Sequence, residues 1–106
     1  MRLIIDRTIW LRGEGVSKSK LLRKLDQKMC CVGMLLEQAG VPRDKLENRN
    51  DALSCMSSVP DELSWLMTTN HALYKTNDDV CMPEPAREQT LTDQFKQYDI
   101  QVEFVR

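Results

Sequence analysis

The sequence lacks several features that mark specialised classes of protein. Its longest apolar run, from Met29 to Leu36, has eight residues including Gly33, far short of the roughly 20 that a membrane span needs. No charged and then apolar leader with a small-residue cleavage site opens the chain, so we expect a protein that is not secreted. The net charge of −1 and the pI near 5.8 argue against a general nucleic-acid coat protein.

Residues suited to catalysis or metal binding are also scarce. A phosphate-binding glycine loop is missing, because Gly13 and Gly15 are followed by neither a third glycine nor a Lys-Ser/Thr pair. The single histidine is His71, and the cysteines lack the close pairing typical of zinc sites. Only proximity in the sequence recommends a nucleophilic group of Cys81, His71 and Asp78. The sequence therefore predicts a protein that is not an enzyme and holds no metal or cofactor.

Length and composition predict one globular domain over residues 1–106. A chain of this size, with 42% hydrophobic and 29% charged residues, can bury a core of its own. Two of the cysteines lie in the most apolar stretch, where free cysteine behaves as a small hydrophobic residue. In the cytoplasm thiols stay reduced. We therefore interpret all four cysteines as free thiols: Cys30, Cys31, Cys55 and Cys81.

The first half of the chain predicts a strand and a buried helix. Leu3-Ile4-Ile5 begins a stretch rich in β-branched residues, which favours an N-terminal strand. From Met29 to Ala39 the apolar residues surround the whole helical wheel, as in a helix buried on every side. Gly40 and Pro42 suit the end of that helix. Gly33, inside it, indicates a neighbour that packs closely.

The second half predicts two further helices and a final strand. Residues 60–68 have the capping residues and spacing of a short amphipathic helix, and the segment 68–83 reads as a loop with a turn at 77–79. A longer helix is predicted for Glu84–Tyr98, and alternation from Ile100 to Phe104 predicts a strand. The expected fold is α+β, with the central buried helix and two or three others against a small antiparallel sheet of the terminal strands.

Charge is distributed unevenly along the chain. Residues 1–50 contain eleven basic and six acidic residues, for a net +5, whereas residues 51–106 contain four and ten, for a net −6. Either the two halves complement each other within one fold, or one of them presents a charged face to a partner. The basic candidates for phosphate binding surround the loop at 13–15: Arg12, Lys18, Lys20, Arg23, Lys24 and Lys28. The acidic candidates for docking on a basic protein are Asp78, Asp79, Glu84, Glu88 and Asp93.

Four short segments carry a resemblance to small proteins encoded by bacteriophages and integrated elements. They are 9–13 (Ile-Trp-Leu-Arg-Gly), 21–23 (Leu-Leu-Arg), 28–33 (Lys-Met-Cys-Cys-Val-Gly) and the final strand at 100–104. The size of the chain also resembles that of anti-CRISPR proteins, particularly inhibitors of type I-E systems. This resemblance implies stoichiometric inhibition by binding, without cofactor or turnover. It carries over no binding residues, because the shared segments are packing and turn motifs.

Two functional hypotheses follow. The first is a monomeric inhibitor in the bacterial host cytoplasm, which binds a CRISPR surveillance complex or its recruited nuclease through the five acidic residues and blocks DNA or partner binding. The second is a small accessory protein that binds nucleic acid through the basic stretch of residues 12–28.

Overall fold

A two-stranded sheet joins the two ends of the chain. The computed structural model describes residues 1–15, 18–69 and 71–106, with the backbone alone for residues 69 and 71. Strand β1 (Arg2–Asp6) pairs with strand β2 (Gln101–Val105), so both terminal strands are confirmed. The strands run parallel, with Arg2 opposite Gln101 and Asp6 opposite Val105.

The expectation of an antiparallel sheet is wrong. Antiparallel neighbours are favoured where a short turn joins two strands, whereas parallel neighbours require a long crossover. Here the crossover is the entire helical part of the chain. The turn before β2 passes through Asp99, whose φ of 59° is left-handed. It brings the Gln101 amide to the carbonyl oxygen of Met1 at 2.9 Å, so that β2 starts beside the start of β1.

One edge of the sheet is covered by a glutamine side chain. Gln38 Oε1 accepts a hydrogen bond from the Ile4 amide at 2.9 Å, and Gln38 Nε2 donates to the Ile4 carbonyl oxygen at 2.7 Å. This pair of bonds mimics a neighbouring strand. It satisfies outward-facing backbone groups of β1 that would otherwise be open to another chain.

The central buried helix is α1 (Cys31–Gln38), where the sequence predicts a helix over 29–39. Its first six residues are all buried, as the apolar wheel requires. The close neighbour expected at Gly33 is confirmed, because a β-carbon there would lie 1.8 Å from the carbonyl oxygen of Leu21. The helix and the segment before it are therefore in backbone contact at this glycine.

The remaining elements confirm the α+β class but differ in detail from the prediction. They are α2 (Arg43–Leu46), 3₁₀ turns at Ala52–Ser58 and Asp61–Leu63, α3 (Leu66–Thr69), α4 (His71–Asp78) and α5 (Glu84–Lys96). Helix α5 is confirmed, whereas the single helix expected at 60–68 is split at Ser64 and Trp65.

The loop expected at 68–83 is wrong, because α4 occupies much of it. Three of the positions that α4 buries carry polar side chains, Thr76, Asn77 and Asp78. Apolar periodicity therefore could not reveal this helix. Within the described residues, no helix combines the length and the apolar character needed to cross a bilayer.

Candidate functional site

The side chain of Asn77 connects three parts of the chain at the end of α4. Its Oδ1 accepts from the Trp10 indole nitrogen at 2.8 Å and from the Cys31 amide at 3.2 Å. Its Nδ2 donates to the Leu11 carbonyl oxygen at 3.0 Å. Asn77 is fully buried, so these bonds satisfy groups that have no access to water. They fix the segment at Trp10 and Leu11 relative to α1 and α4.

The loop that follows Leu11 closes over the last turn of α4. The Gly13 amide donates to the Asn77 carbonyl oxygen at 2.8 Å, and the Gly15 amide donates to that of Asp78 at 2.9 Å. Both glycines have positive φ angles, 68° and 105°, which residues other than glycine rarely adopt. The loop thereby pairs carbonyl groups that a helix end would leave without partners.

Arg87 holds the chain between α4 and α5 from below this loop. Its guanidinium is buried and donates to four carbonyl oxygens, at distances from 2.8 to 3.0 Å. Those oxygens belong to Thr76, Asn77, Asp79 and Met82. A cation at the C-terminal end of α4 also opposes the negative end of the helix dipole. The connection between the two helices is therefore fixed by one side chain.

An open groove of about 360 Å³ lies where this loop meets the start of α5. Its lining carries charges of both signs and no thiol, hydroxyl or imidazole among the described residues: Trp10, Leu11, Arg12, Glu14, Arg23, Lys28 and Glu84. We call these residues the groove. Charged groups of both signs on one open surface can pair with complementary charges of a binding partner.

One wall of the groove is built on Arg12. Its guanidinium lies over the Trp10 ring, 4.4 Å from the ring centroid, and donates from Nε to Glu84 Oε2 at 2.6 Å. Glu84 also accepts from Arg87 at 3.1 Å. Partial burial works to raise the pKa of Glu84, but hydrogen bonds from the two arginines outweigh burial and lower this pKa overall. Glu84 therefore stays ionised as the link between them.

The opposite wall is built on Arg23. It makes a two-pronged contact with Asp26, at 3.0 and 2.6 Å, and a longer one with Glu14 at 3.2 Å. The hydrogen bond from Arg23 is the main reason that the pKa of Asp26 falls to about 2. Both walls of the groove thus carry arginines whose geometry is already fixed by carboxylates of the same chain.

The acidic residues predicted as a partner surface do not form one free face. Asp78 is 5% exposed and accepts from Asn77 Nδ2 at 3.1 Å, so its assignment to the surface is wrong. The reason is that α4 continues through this position and turns it inward. Asp79 is half-buried and accepts from the Cys81 amide at 2.9 Å. Asp93 is exposed beside Gln89.

The two remaining acids of that set are paired with arginines from the start of the chain. Glu88 receives both prongs of Arg7 at 2.8 Å, and Glu84 pairs with Arg12 as described. A third pair joins Arg2 to Glu103 across the sheet. The basic first half and the acidic second half are therefore held together by ion pairs within the fold.

The basic residues predicted to bind phosphate divide into two groups. Arg12 and Arg23 are held by carboxylates, and Lys20 Nζ donates to Asn50 Oδ1 at 2.6 Å. The lysines at 18, 24 and 28 are exposed and form no ion pair with a carboxylate among the residues that the structure describes. The surplus positive charge of this stretch therefore resides on lysines.

The four thiols differ in their exposure. Burial raises the pKa of Cys30 to about 12 and that of Cys31 above its usual value, which keeps both protonated. Cys81 is exposed, Asp78 faces Asn77, and the His71 side chain lies outside the described residues. Among the residues described, no cluster of three or more ligands suited to a metal ion is present.

Sequence reasoning missed Asn77 and Arg87 as the residues that fix the groove, and Glu14 as part of its wall. Asn77 carried only a turn signal, and nothing local distinguishes Arg87 from a surface arginine of α5.

Comparison with family models, with curated proteins and with solved structures finds no match to this chain.

Proposed function

We propose that this chain is a stoichiometric inhibitor that binds a protein component of a CRISPR defence system in the bacterial host cytoplasm. The resemblance to small bacteriophage proteins suggested this function, and the observation that supports it best is the prearranged groove. In this account the protein acts as a monomer, without a cofactor, and blocks the access of DNA or of a second protein to its target.

Fixed geometry is what a tight binding surface requires. Side chains that are ordered only on binding lose conformational entropy, and this loss subtracts from the affinity. Arg12 is already held by the Trp10 ring and Glu84, and Arg23 by Asp26 and Glu14. Arginines of this kind are enriched among the residues that dominate protein interfaces. The groove can therefore engage a partner with little further ordering.

The mechanism that this geometry supports is steric blockade rather than imitation of DNA by acidic residues. Imitation of DNA needs several free carboxylates on one face. Asp78 is buried, and the carboxylates of Glu84 and Glu88 are neutralised by Arg12 and Arg7. We therefore move the proposed contact from the acidic residues to the groove.

The test is a cleavage assay with a purified type I-E surveillance complex, its nuclease and a matching target DNA. We expect cleavage to fall linearly with added protein and to stop at about one equivalent per target component. The variant Lys28→Glu, which reverses an exposed charge in the groove, should lose inhibition. The matched control Lys45→Glu, on α2, should keep it.

A further variant, Asp93→Lys, tests the acidic surface directly, because it changes the one exposed carboxylate of that set which pairs with no arginine among the described residues. Loss of inhibition in Asp93→Lys alone would return the contact to the acidic side. No inhibition by the unchanged protein at tenfold excess would contradict the proposed function.

Nucleic-acid binding is the second candidate function, supported by the three exposed lysines of the basic stretch. Binding that neutralises several phosphates weakens steeply as salt increases. This function would be favoured if the affinity for a labelled DNA duplex declines steeply between low and high salt. The triple variant Lys18→Ala, Lys24→Ala, Lys28→Ala should then lose this salt dependence. If the protein does not bind the duplex at low salt, nucleic-acid binding is excluded as its function.

A further inference from the structure

The turn beside the groove presents a leucine almost entirely to solvent. Leu25 is 90% exposed, at the tip of the segment that returns from Arg23 to Lys28. Because its side chain is so exposed, Leu25 buries almost no apolar surface and therefore adds little to the stability of the fold. The packing of this chain therefore gives no reason for a leucine at this position.

The turn that carries Leu25 is held at several points. The Arg23 amide donates to the Lys28 carbonyl oxygen, and the Gln27 amide donates to the Arg23 carbonyl oxygen, both at 2.7 Å. Arg23 also holds Asp26 through two hydrogen bonds. The Lys24 amide donates to Asn48 Oδ1 at 3.2 Å, which ties the turn to the chain behind it. Leu25 is thus presented on a fixed support.

Charges around the leucine give the partner a defined character. Lys24 directly precedes Leu25 and Lys28 lies three positions after it, and both are exposed and free of ion pairs with carboxylates in the described part of the chain. Asp26, which directly follows Leu25, is held by Arg23. The groove and the turn together have four cations, Arg12, Arg23, Lys24 and Lys28, against three carboxylates, Glu14, Asp26 and Glu84. The excess positive charge lies on the two unpaired lysines. An apolar tip inside a positive rim complements an apolar pocket with an acidic rim.

We propose that Leu25 is the anchor of the inhibitor interface and that it inserts into an apolar pocket of the target protein whose rim carries carboxylates. This inference deepens the proposed function and rests on it. A protein partner is favoured over nucleic acid because an aliphatic side chain offers no ring for base stacking, which is the contact that single-stranded nucleic acid takes up. Lys24 and Lys28 pair with the rim, and the groove receives the surface beside the pocket.

Leu53 provides the matched control for this anchor. It is also an exposed leucine, at 55%, in the 3₁₀ turn Ala52–Ser58. Its sequence neighbours are Ala52 and Ser54, whereas Leu25 directly follows Lys24. Single exposed apolar residues are ordinary on protein surfaces, so exposure is common to both leucines, and the unpaired lysines near Leu25 are what distinguish it. Truncation of the two leucines therefore separates an anchor from a surface residue.

The experiment measures the affinity of purified variants for the purified type I-E surveillance complex and, separately, for its nuclease. We expect Leu25→Ala to weaken binding about 10- to 100-fold, the range for loss of one buried leucine. Leu25→Asp should weaken it further, because it places a carboxylate against an acidic rim. Leu53→Ala should bind within about twofold of the unchanged protein, and all three should keep its melting temperature.

Each outcome distinguishes the anchor from the function on which it rests. If the unchanged protein binds and both Leu25 variants bind equally well, the anchor is wrong and the proposed function stands. If the unchanged protein binds neither component, both are wrong. Binding that disappears on nuclease treatment would also overturn the anchor, because the contact would then be with nucleic acid.

Discussion

The indole nitrogen of Trp10 donates to Asn77 Oδ1 at 2.8 Å, across 67 positions of the sequence. This contact brings the N-terminal segment to the end of α4, where the backbone bonds from Gly13 and Gly15 continue the attachment. Arg12 follows Trp10 closely and forms one wall of the groove. The position of the groove therefore depends on a buried polar contact between two distant parts of the chain.

Replacement of Asn77 by alanine should destabilise the protein by about 2–3 kcal/mol, because the Trp10 indole and the Leu11 carbonyl would be left buried without partners. Urea denaturation monitored by tryptophan fluorescence measures this change. Asn50→Ala, which removes only an exposed acceptor for Lys20, should stay within about 0.5 kcal/mol. Equal stabilities of the two variants would show that Asn77 does not organise this region.

The Gly33→Ala substitution, which adds a single methyl group, should be among the most destabilising substitutions in this protein. The added β-carbon would lie 1.8 Å from the Leu21 carbonyl oxygen, so α1 and the preceding segment would have to separate. Overpacking of a core typically costs 1–3 kcal/mol and at times more, and we expect at least about 3 kcal/mol or loss of folded protein in expression trials.

Gly40→Ala is the control for that substitution. Gly40 also tests backbone freedom, with φ at 103°, but nothing lies within 4 Å of a β-carbon placed there. Only backbone strain remains, for which we expect about 1 kcal/mol. A Gly33→Ala protein as stable as Gly40→Ala would contradict the close backbone contact at Leu21.

Thiol reactivity should separate the four cysteines. Cys81 is exposed, whereas Cys30, Cys31 and Cys55 are buried and their pKa values are raised by burial. With a disulfide reagent at pH 8, we expect one thiol to react fast in the folded protein and all four in denaturant. Cys81→Ser should remove the fast phase, and a fast phase that survives in this variant would place another thiol at the surface.

The contact between Arg23 and Asp26 should give stability that depends on pH in the acid range. The pKa of Asp26 in the folded protein, about 2, lies below the ordinary value of about 3.9 for an aspartate in an unfolded chain. The stability that the ionised Asp26 adds to the folded state is therefore fully present above about pH 4, and it is lost as the pH falls through the pKa of Asp26 in the folded protein. The unchanged protein should exceed Asp26→Asn in stability at pH 6, and the difference should shrink toward pH 2.

Asp44→Asn serves as the control for this titration, because it removes an exposed carboxylate from the surface of α2. Asp44 forms no ion pair in the described part of the chain, so Asp44→Asn should differ from the unchanged protein by less than about 0.5 kcal/mol at pH 6. An Asp26→Asn difference that remains constant from pH 6 to pH 2 would show that the contact with Arg23 contributes nothing to the fold.

Local patterns predicted the elements whose burial follows regular apolar spacing. Both terminal strands, the buried helix α1 and the helix α5 carry such patterns, and Gly33 signalled its close neighbour in advance. The α+β class followed from these elements. What they share is apolar side chains at the positions that pack against the core.

The remainder of the fold depends on contacts between distant residues that no local pattern contains. Helix α4 buries Thr76, Asn77 and Asp78, so its sequence resembles that of a polar turn. Asn77 bonds to the N-terminal segment, and Thr76 accepts a hydrogen bond from Gln94 of α5. Strand β2 runs parallel to β1, on which it depends for its direction, whereas alternation specifies only that a strand exists. The acidic residues read as a surface because their arginine partners lie about 70–80 positions away, as in Arg12 with Glu84 and Arg7 with Glu88.

The most direct test of the central claim is calorimetric titration of the unchanged protein into the purified type I-E surveillance complex and into its nuclease. We expect a saturable heat with one of the two, at a ratio of one copy of this protein per target, and the same heat from nuclease-treated samples. The same titration with Leu25→Asp should give no measurable heat under those conditions. Absence of heat with both targets for the unchanged protein would contradict the claim that this chain inhibits that defence system by binding.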